Sequence, residues 1–131
     1  MDITTRTETL SVGDQSWLAS EHGTDNGRPV TLDKSSFTSG THYPDGYFKS
    51  GIPLALITAT NKYGPYDDTQ APGDGRGVLV GLLFDSPSVP SDDVDPVGVM
   101  LEHCIVRESK LPVAINANGK ADVAGRIIFR P

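Results

Sequence analysis

Cysteine is nearly absent. Cys104 stands alone, which excludes an internal disulfide and a cysteine-based zinc site. Long apolar runs are missing too; none approaches the ~18 residues that a membrane span needs. Basic residues are scarce. Eleven Lys and Arg against 17 Asp and Glu leave a formal charge of −6, which argues against phosphate neutralisation and so against nucleic acid as a partner. The opening Met1-Asp2-Ile3-Thr4-Thr5-Arg6 lacks the basic-then-apolar order of a secretory signal. No Gly-x-Ser-x-Gly elbow and no internal repeat are present. The three histidines, His22, His42 and His103, lie far apart with no metal-ligand spacing.

What is abundant is turn chemistry. Gly 14 and Pro 10 in 131 residues demand many turns in a chain long enough for one core, which favours β-structure over helix. Apolar residues are unevenly spread: eight fall in residues 1–30 and forty in 31–131. The front is rich in Thr, Ser, Asp and Gly and has too few large side chains to order itself. It reads as an extended N-terminal arm over 1–35, followed by a single β-rich domain over 36–131. Within the arm, Thr4-Thr5-Arg6-Thr7-Glu8-Thr9-Leu10-Ser11-Val12 is dense in β-branched residues and reads as an extended strand. Trp17-Leu18 is its apolar pair.

Further along, Val30–Asp33 reads as a short strand and Pro44-Asp45-Gly46 as a turn. The segment 50–58 reads as a strand with Pro53 at its start or on an edge. Residues 61–77 read as a long polar loop. Val78–Phe84 reads as a strand buried on both faces, and 97–106 as a second long core strand. Residues 85–96 form another loop, and Ile127-Ile128-Phe129 a closing strand. Residues 111–124 stay ambiguous: Asn118-Gly119 suits a hairpin, while Ala114, Ala117, Ala121 and Ala124 suit a short helix.

Each candidate for chemistry has a plainer explanation. Gly73-Asp74-Gly75-Arg76-Gly77 precedes a strand rather than a helix, so it lacks the amides of a phosphate cradle. Asp92, Asp93 and Asp95 lack the remainder of a calcium loop. His103 and Cys104 would point to opposite faces of a strand, too far apart for a base and its nucleophile. Asp67-Asp68 reads as a hydrated loop pair. The residues therefore suggest a binding protein, not an enzyme, without metal or cofactor.

A pattern remains in the order of the pieces. A polar arm precedes Gly51-Ile52-Pro53-Leu54 and a polar loop. Asp74-Gly75-Arg76 then leads into Val80-Gly81-Leu82-Leu83. A strand ends in Val106-Arg107-Glu108-Ser109-Lys110-Leu111-Pro112, before the closing Ile127-Ile128-Phe129. Over about residues 50–131 this resembles the phage head decoration (capsid cementing) proteins of the lambda type. Ser16-Trp17-Leu18 and Val30-Thr31-Leu32-Asp33 resemble the long-armed decoration proteins of actinobacterial phages. Asn116-Ala117-Asn118-Gly119 departs from the pattern, where lambda-type proteins tend to have a short helix.

The resemblance implies a mainly β, small β-clip-like domain with little helix. It implies a homotrimer at three-fold and quasi-three-fold positions of the expanded head, stabilising the lattice of the major capsid protein. The protein would lie on the outer surface of the virion, and in the host cytoplasm during assembly. The arm would add a strand to capsid sheets. On this reading Thr4, Thr5, Thr7, Thr9, Leu10 and Val12 pair with the capsid, and Trp17 and Leu18 are apolar anchors buried by a partner or a neighbouring subunit. The alternative is a virion- or cell-surface β-module that binds carbohydrate or host surface through Tyr43, Tyr47, Tyr63 and Tyr66.

Overall fold

The computed structural model describes residues 14–131. Among them the fold is mainly β, with seven strands and two short α-helices. Strands β1 (Arg28–Thr31), β2 (Pro53–Ile57), β3 (Lys62–Pro65), β4 (Gly81–Leu83) and β5 (Val97–Leu101) form one sheet in the order β1-β5-β4-β2-β3. Every neighbouring pair is antiparallel. The two ends of this sheet meet. Leu32, just past β1, bridges Tyr63 of β3, and the Asp33 N–H donates to the Tyr63 carbonyl at 2.8 Å. The sheet thus curls onto itself around Val30, Leu32, Phe48, Ile52, Leu54, Leu83 and Met100. Phe37 and Phe48 meet edge to face inside it, with centroids 4.9 Å apart.

Two further strands, β6 (Cys104–Arg107) and β7 (Ile127–Arg130), run parallel in register, Ile105 opposite Ile128 and Arg107 opposite Arg130. The second core lies beneath them, built from Trp17, Leu79, Leu82, Leu101, Val106, Val123 and others. On the other side of β6, residues 17–19 act as a third strand. Leu18 bridges Val106, the Ala19 N–H donates to the Ile105 carbonyl at 3.0 Å, and the Arg107 N–H donates to the Trp17 carbonyl at 2.6 Å.

Several sequence expectations need correction here. A boundary at residue 35 does not separate arm from domain, because Trp17, Val30 and Leu32 are core residues and β1 is a full member of the large sheet. Composition undercounted these residues because each is buried against side chains distant in sequence. The apolar stretch 97–106 is two strands rather than one. It breaks at Glu102-His103, so β5 joins the antiparallel sheet and β6 the parallel pair. Gly23 packs directly over that break; a Cβ there would run into the His103 carbonyl. Of Val78–Phe84 only Gly81–Leu83 joins the ladder. Val78 is exposed, and the Leu79 N–H is taken by the Asp122 carboxylate at 3.0 Å. The supposed loop 61–77 contains β3, whose Tyr63 is buried in the first core.

The ambiguity at 111–124 resolves as helix α2 (Ala117–Asp122). Asn116 caps it, its side chain accepting from the Gly119 N–H at 2.9 Å. Gly119 serves close packing and not a hairpin: a Cβ would lie 2.8 Å from Ile115 Cγ2 and 3.1 Å from the Tyr66 ring. Pro53 begins β2, as a residue without an N–H should. The other helix, α1, is the single turn Ser39–His42.

Candidate partner-binding surface

Trp17 has no exposed surface. Its indole N–H donates to Ser50 Oγ at 3.0 Å, and that hydroxyl donates on to the Phe84 carbonyl at 2.5 Å. The indole fits because residue 51 is glycine. A Cβ on Gly51 would lie 2.9 Å from both Trp17 Nε1 and Pro112 Cδ. Two of the sequence motifs, Gly51-Ile52-Pro53-Leu54 and Leu111-Pro112, therefore meet at one tryptophan. The expectation that Trp17 anchors on a partner is corrected: its burial is supplied by its own domain. Leu18 is half-buried against the second core and bridges β6, with part of its side chain still exposed. Thr4, Thr5, Thr7, Thr9, Leu10 and Val12 lie outside the described residues.

Asp14, Gln15 and Ser16 are exposed, so the chain enters the core abruptly at Trp17. Asp14 accepts from the Ser16 N–H at 3.0 Å, and its hydrogen bonds with Ser16 hold its carboxyl below the usual range. Beside this entry point lies a groove of about 310 Å³, lined by Asp14, Asp45, Tyr47, Lys49, Lys110 and Pro112 among others. Charges of both signs face it, which fits a polar chain better than a single ion.

The outward face of the small sheet is of another kind. Alternation buries Cys104, Val106 and Ile127 and turns Ile105, Arg107, Ile128 and Arg130 outward. Arg107 and Arg130 stand directly opposite one another, and both are exposed. Sequence reasoning missed this face, although the alternation of both strands carried its signal. The register that joins them did not.

The histidines also need correction. His22 and His103 are in contact, Nε2 to Nδ1 at 3.1 Å, because residues 17–19 run alongside β6. No local spacing announces a contact across 81 positions. Among the described residues no group of three His, Cys, Asp or Glu is placed to hold a metal ion. His42 is separate and buried; its Nδ1 accepts from the Thr38 N–H at 2.9 Å.

Burial pushes the His42 imidazole below its ordinary 6.5. A folded state that binds this proton less well than the unfolded chain loses stability as pH falls below 6.5 and on through the depressed folded value. His42→Asn keeps a side-chain acceptor for Thr38 without a titrating group. The fall in unfolding midpoint on acidification below pH 6.5 is expected to be smaller in this variant than in the parent. Parallel pH profiles would remove His42 as a cause.

The remaining candidates are structural. Cys104 is buried and its thiol is pushed up to about 12 by desolvation, so no thiolate is at hand at neutral pH. Asp67 accepts from the Thr69 hydroxyl, the Thr69 N–H and Gln70, which holds its carboxyl low. Asp68 accepts from Asn116 and Asn118 and ties the loop to α2. Asp74 and Arg76 pair within the glycine loop at 2.6 Å. In the acidic loop Asp95 pairs with Lys62 at 2.5 Å, while Asp92 and Asp93 stay exposed. Of the tyrosines, Tyr63 is buried, Tyr43 packs on Phe48, and Tyr66 packs on the second core and donates to Asn116 at 2.9 Å. Tyr47 is half-buried and lines the groove. No exposed row of tyrosines for sugar stacking results among the described residues.

No protein-family model matches the chain, and no curated protein matches it either.

Proposed function

We propose that this chain is a phage capsid decoration protein with a β-clip-like domain. It binds as a homotrimer at three-fold and quasi-three-fold positions of the expanded head and cements the major capsid protein lattice. The observation that carries the reading is the ordered set of motifs from Gly51-Ile52-Pro53-Leu54 to Ile127-Ile128-Phe129, preceded by a Thr-rich segment. The mainly β fold agrees with it.

In this reading the leading segment Thr4–Val12 adds a strand to a capsid sheet, where main-chain hydrogen bonds carry affinity and threonines suit the extended backbone. Trp17 has a different role from a partner anchor. It pegs the root of that segment into its own domain, so tension on the segment is borne by the second core. Three segments per trimer make the later engagements effectively intramolecular, which raises avidity without new contacts. Binding the expanded lattice alone then stabilises that lattice by mass action.

Removal of residues 1–13 tests this. The shortened chain is expected to fold, yet its apparent affinity for expanded, undecorated heads is expected to fall by roughly a hundredfold or more in co-sedimentation. Undiminished head binding would overturn the role of the segment. A full-length chain that never sediments with heads would overturn the function.

A further inference from the structure

The exposed face of β6 and β7 presents a problem that the isolated chain does not solve. Arg107 and Arg130 face each other in register, and like charges directly opposite destabilise a sheet. Among the described residues neither guanidinium has a hydrogen-bond or ion-pair partner, in a protein whose net charge is negative. Beside them Ile105 and Ile128 make an apolar pair, with Ile128 49% exposed. Such a face fits an occupant that brings two carboxylates and a small apolar group together.

The chain carries that complement elsewhere on its own surface. Asp92 and Asp93 are exposed, and Val94 and Val97 beside them are 58% and 61% exposed. The loop is held in place. Lys34 Nζ donates to the Pro90 carbonyl at 2.5 Å and to the Asp92 carbonyl at 2.9 Å, and Asp95 is tied to Lys62. Asp92 also accepts from the Val94 N–H at 3.4 Å and Asp93 lines a groove beside Lys34 and Lys62, yet both residues stay exposed and neither has an ion-pair partner among the described residues. Within one molecule the two patches do not pair: no ion pair among the described residues joins Asp92 or Asp93 to Arg107 or Arg130. The acidic loop leads into the start of β5, and β6 begins only after its end, so roughly 13 Å of strand separates them.

We propose that a second copy of this chain is the occupant: its 92–97 loop docks on the β6–β7 face of its neighbour. Asp92 and Asp93 then neutralise Arg107 and Arg130, and Val94 and Val97 cover Ile105 and Ile128. The contact joins two different surfaces, so it is heterologous, and repetition through a closing rotation generates a ring. This deepens the reading above and rests on it only for the number three. It also gives the acidic loop a place at each subunit contact instead of in open solvent or at an axis.

Sedimentation of the full chain at low and high salt tests the proposal. The parent is expected to be oligomeric, with an assembly that weakens as salt rises. Arg107→Glu with Arg130→Glu, and separately Asp92→Lys with Asp93→Lys, are each expected to raise the dissociation constant at least ~10-fold. All four side chains are exposed, so both variants should keep the parental circular-dichroism spectrum and a cooperative melt, with a midpoint lowered only by the stability that association lends. The quadruple variant, with both patches reversed, is expected to associate again. A monomeric parent at low salt overturns the proposal. So does an oligomer indifferent to the paired substitutions, or a quadruple variant that stays as weak as the doubles. If the variants behave as expected while the oligomer fails to bind heads, the interface stands and the decoration reading falls.

Discussion

Trp17→Ala is expected to cost about 3–5 kcal/mol of unfolding free energy, the range for truncating a fully buried aromatic whose site cannot collapse. The surroundings explain why this site cannot relax. The indole lies among Leu79, Leu82, Val106 and Ile127, and the Trp17 carbonyl and the Ala19 N–H are both bonded to β6. Ser50 keeps its bond to the Phe84 carbonyl, so the loss is mostly volume rather than an orphaned polar group. The same logic separates two truncations. A chain starting at residue 14 keeps Trp17 and β1, and should melt close to the full-length protein. A chain starting at residue 31 loses Trp17, Leu18, Val30 and most of β1, and should fail to show a cooperative transition. Denaturant titration followed by circular dichroism, at one protein concentration, reads all three. A cooperative fold in the shorter chain would refute the placement of residues 17–31 in the two cores.

Gly51→Ala is the second large effect. Gly51 has φ +95°, a left-handed backbone that costs an L-residue about 1–2 kcal/mol. Its new methyl would also press on Trp17 and Pro112, and overpacking of that kind costs about 1–3 kcal/mol more. The sum is about 2–5 kcal/mol. Gly46→Ala is the control: φ is +83° there as well, but open space surrounds the new methyl. It should show the backbone cost alone. Equal losses at the two positions would mean that Gly51 serves only its turn and not the seat of the tryptophan.

These two residues also show how far the sequence could be read. Gly51 and Pro112 stood out as parts of an ordered pattern, and Trp17 as an isolated aromatic in a polar stretch. Nothing local connects them. Trp17 was expected on a partner because its own thirty-residue neighbourhood holds too few apolar groups to bury it. The groups that do bury it come from residues 50–51 and 79–127. Local composition is blind to burial supplied from a distance. The same blindness hid the His22–His103 contact, the β6–β7 register, and so the opposed arginines.

By itself the sequence determined what depends on neighbours along the chain. Turn residues placed Pro44-Asp45-Gly46 as a turn, with the Gly46 N–H reaching back to the Tyr43 carbonyl, and Pro53 at the head of its strand. Apolar, β-branched runs located β2 and β7, the strand expected over Val30–Asp33 lies two residues earlier as β1, and the wealth of glycine and proline foretold a mainly β chain. Tertiary structure alone decided where the apolar run 97–106 breaks, because one half of it pairs antiparallel with β4 and the other parallel with β7. It also decided that residues 17–31 belong to the domain. Backbone conformation is chosen by a few adjacent residues, whereas burial and strand partners are chosen by whatever the whole fold brings within a few ångströms.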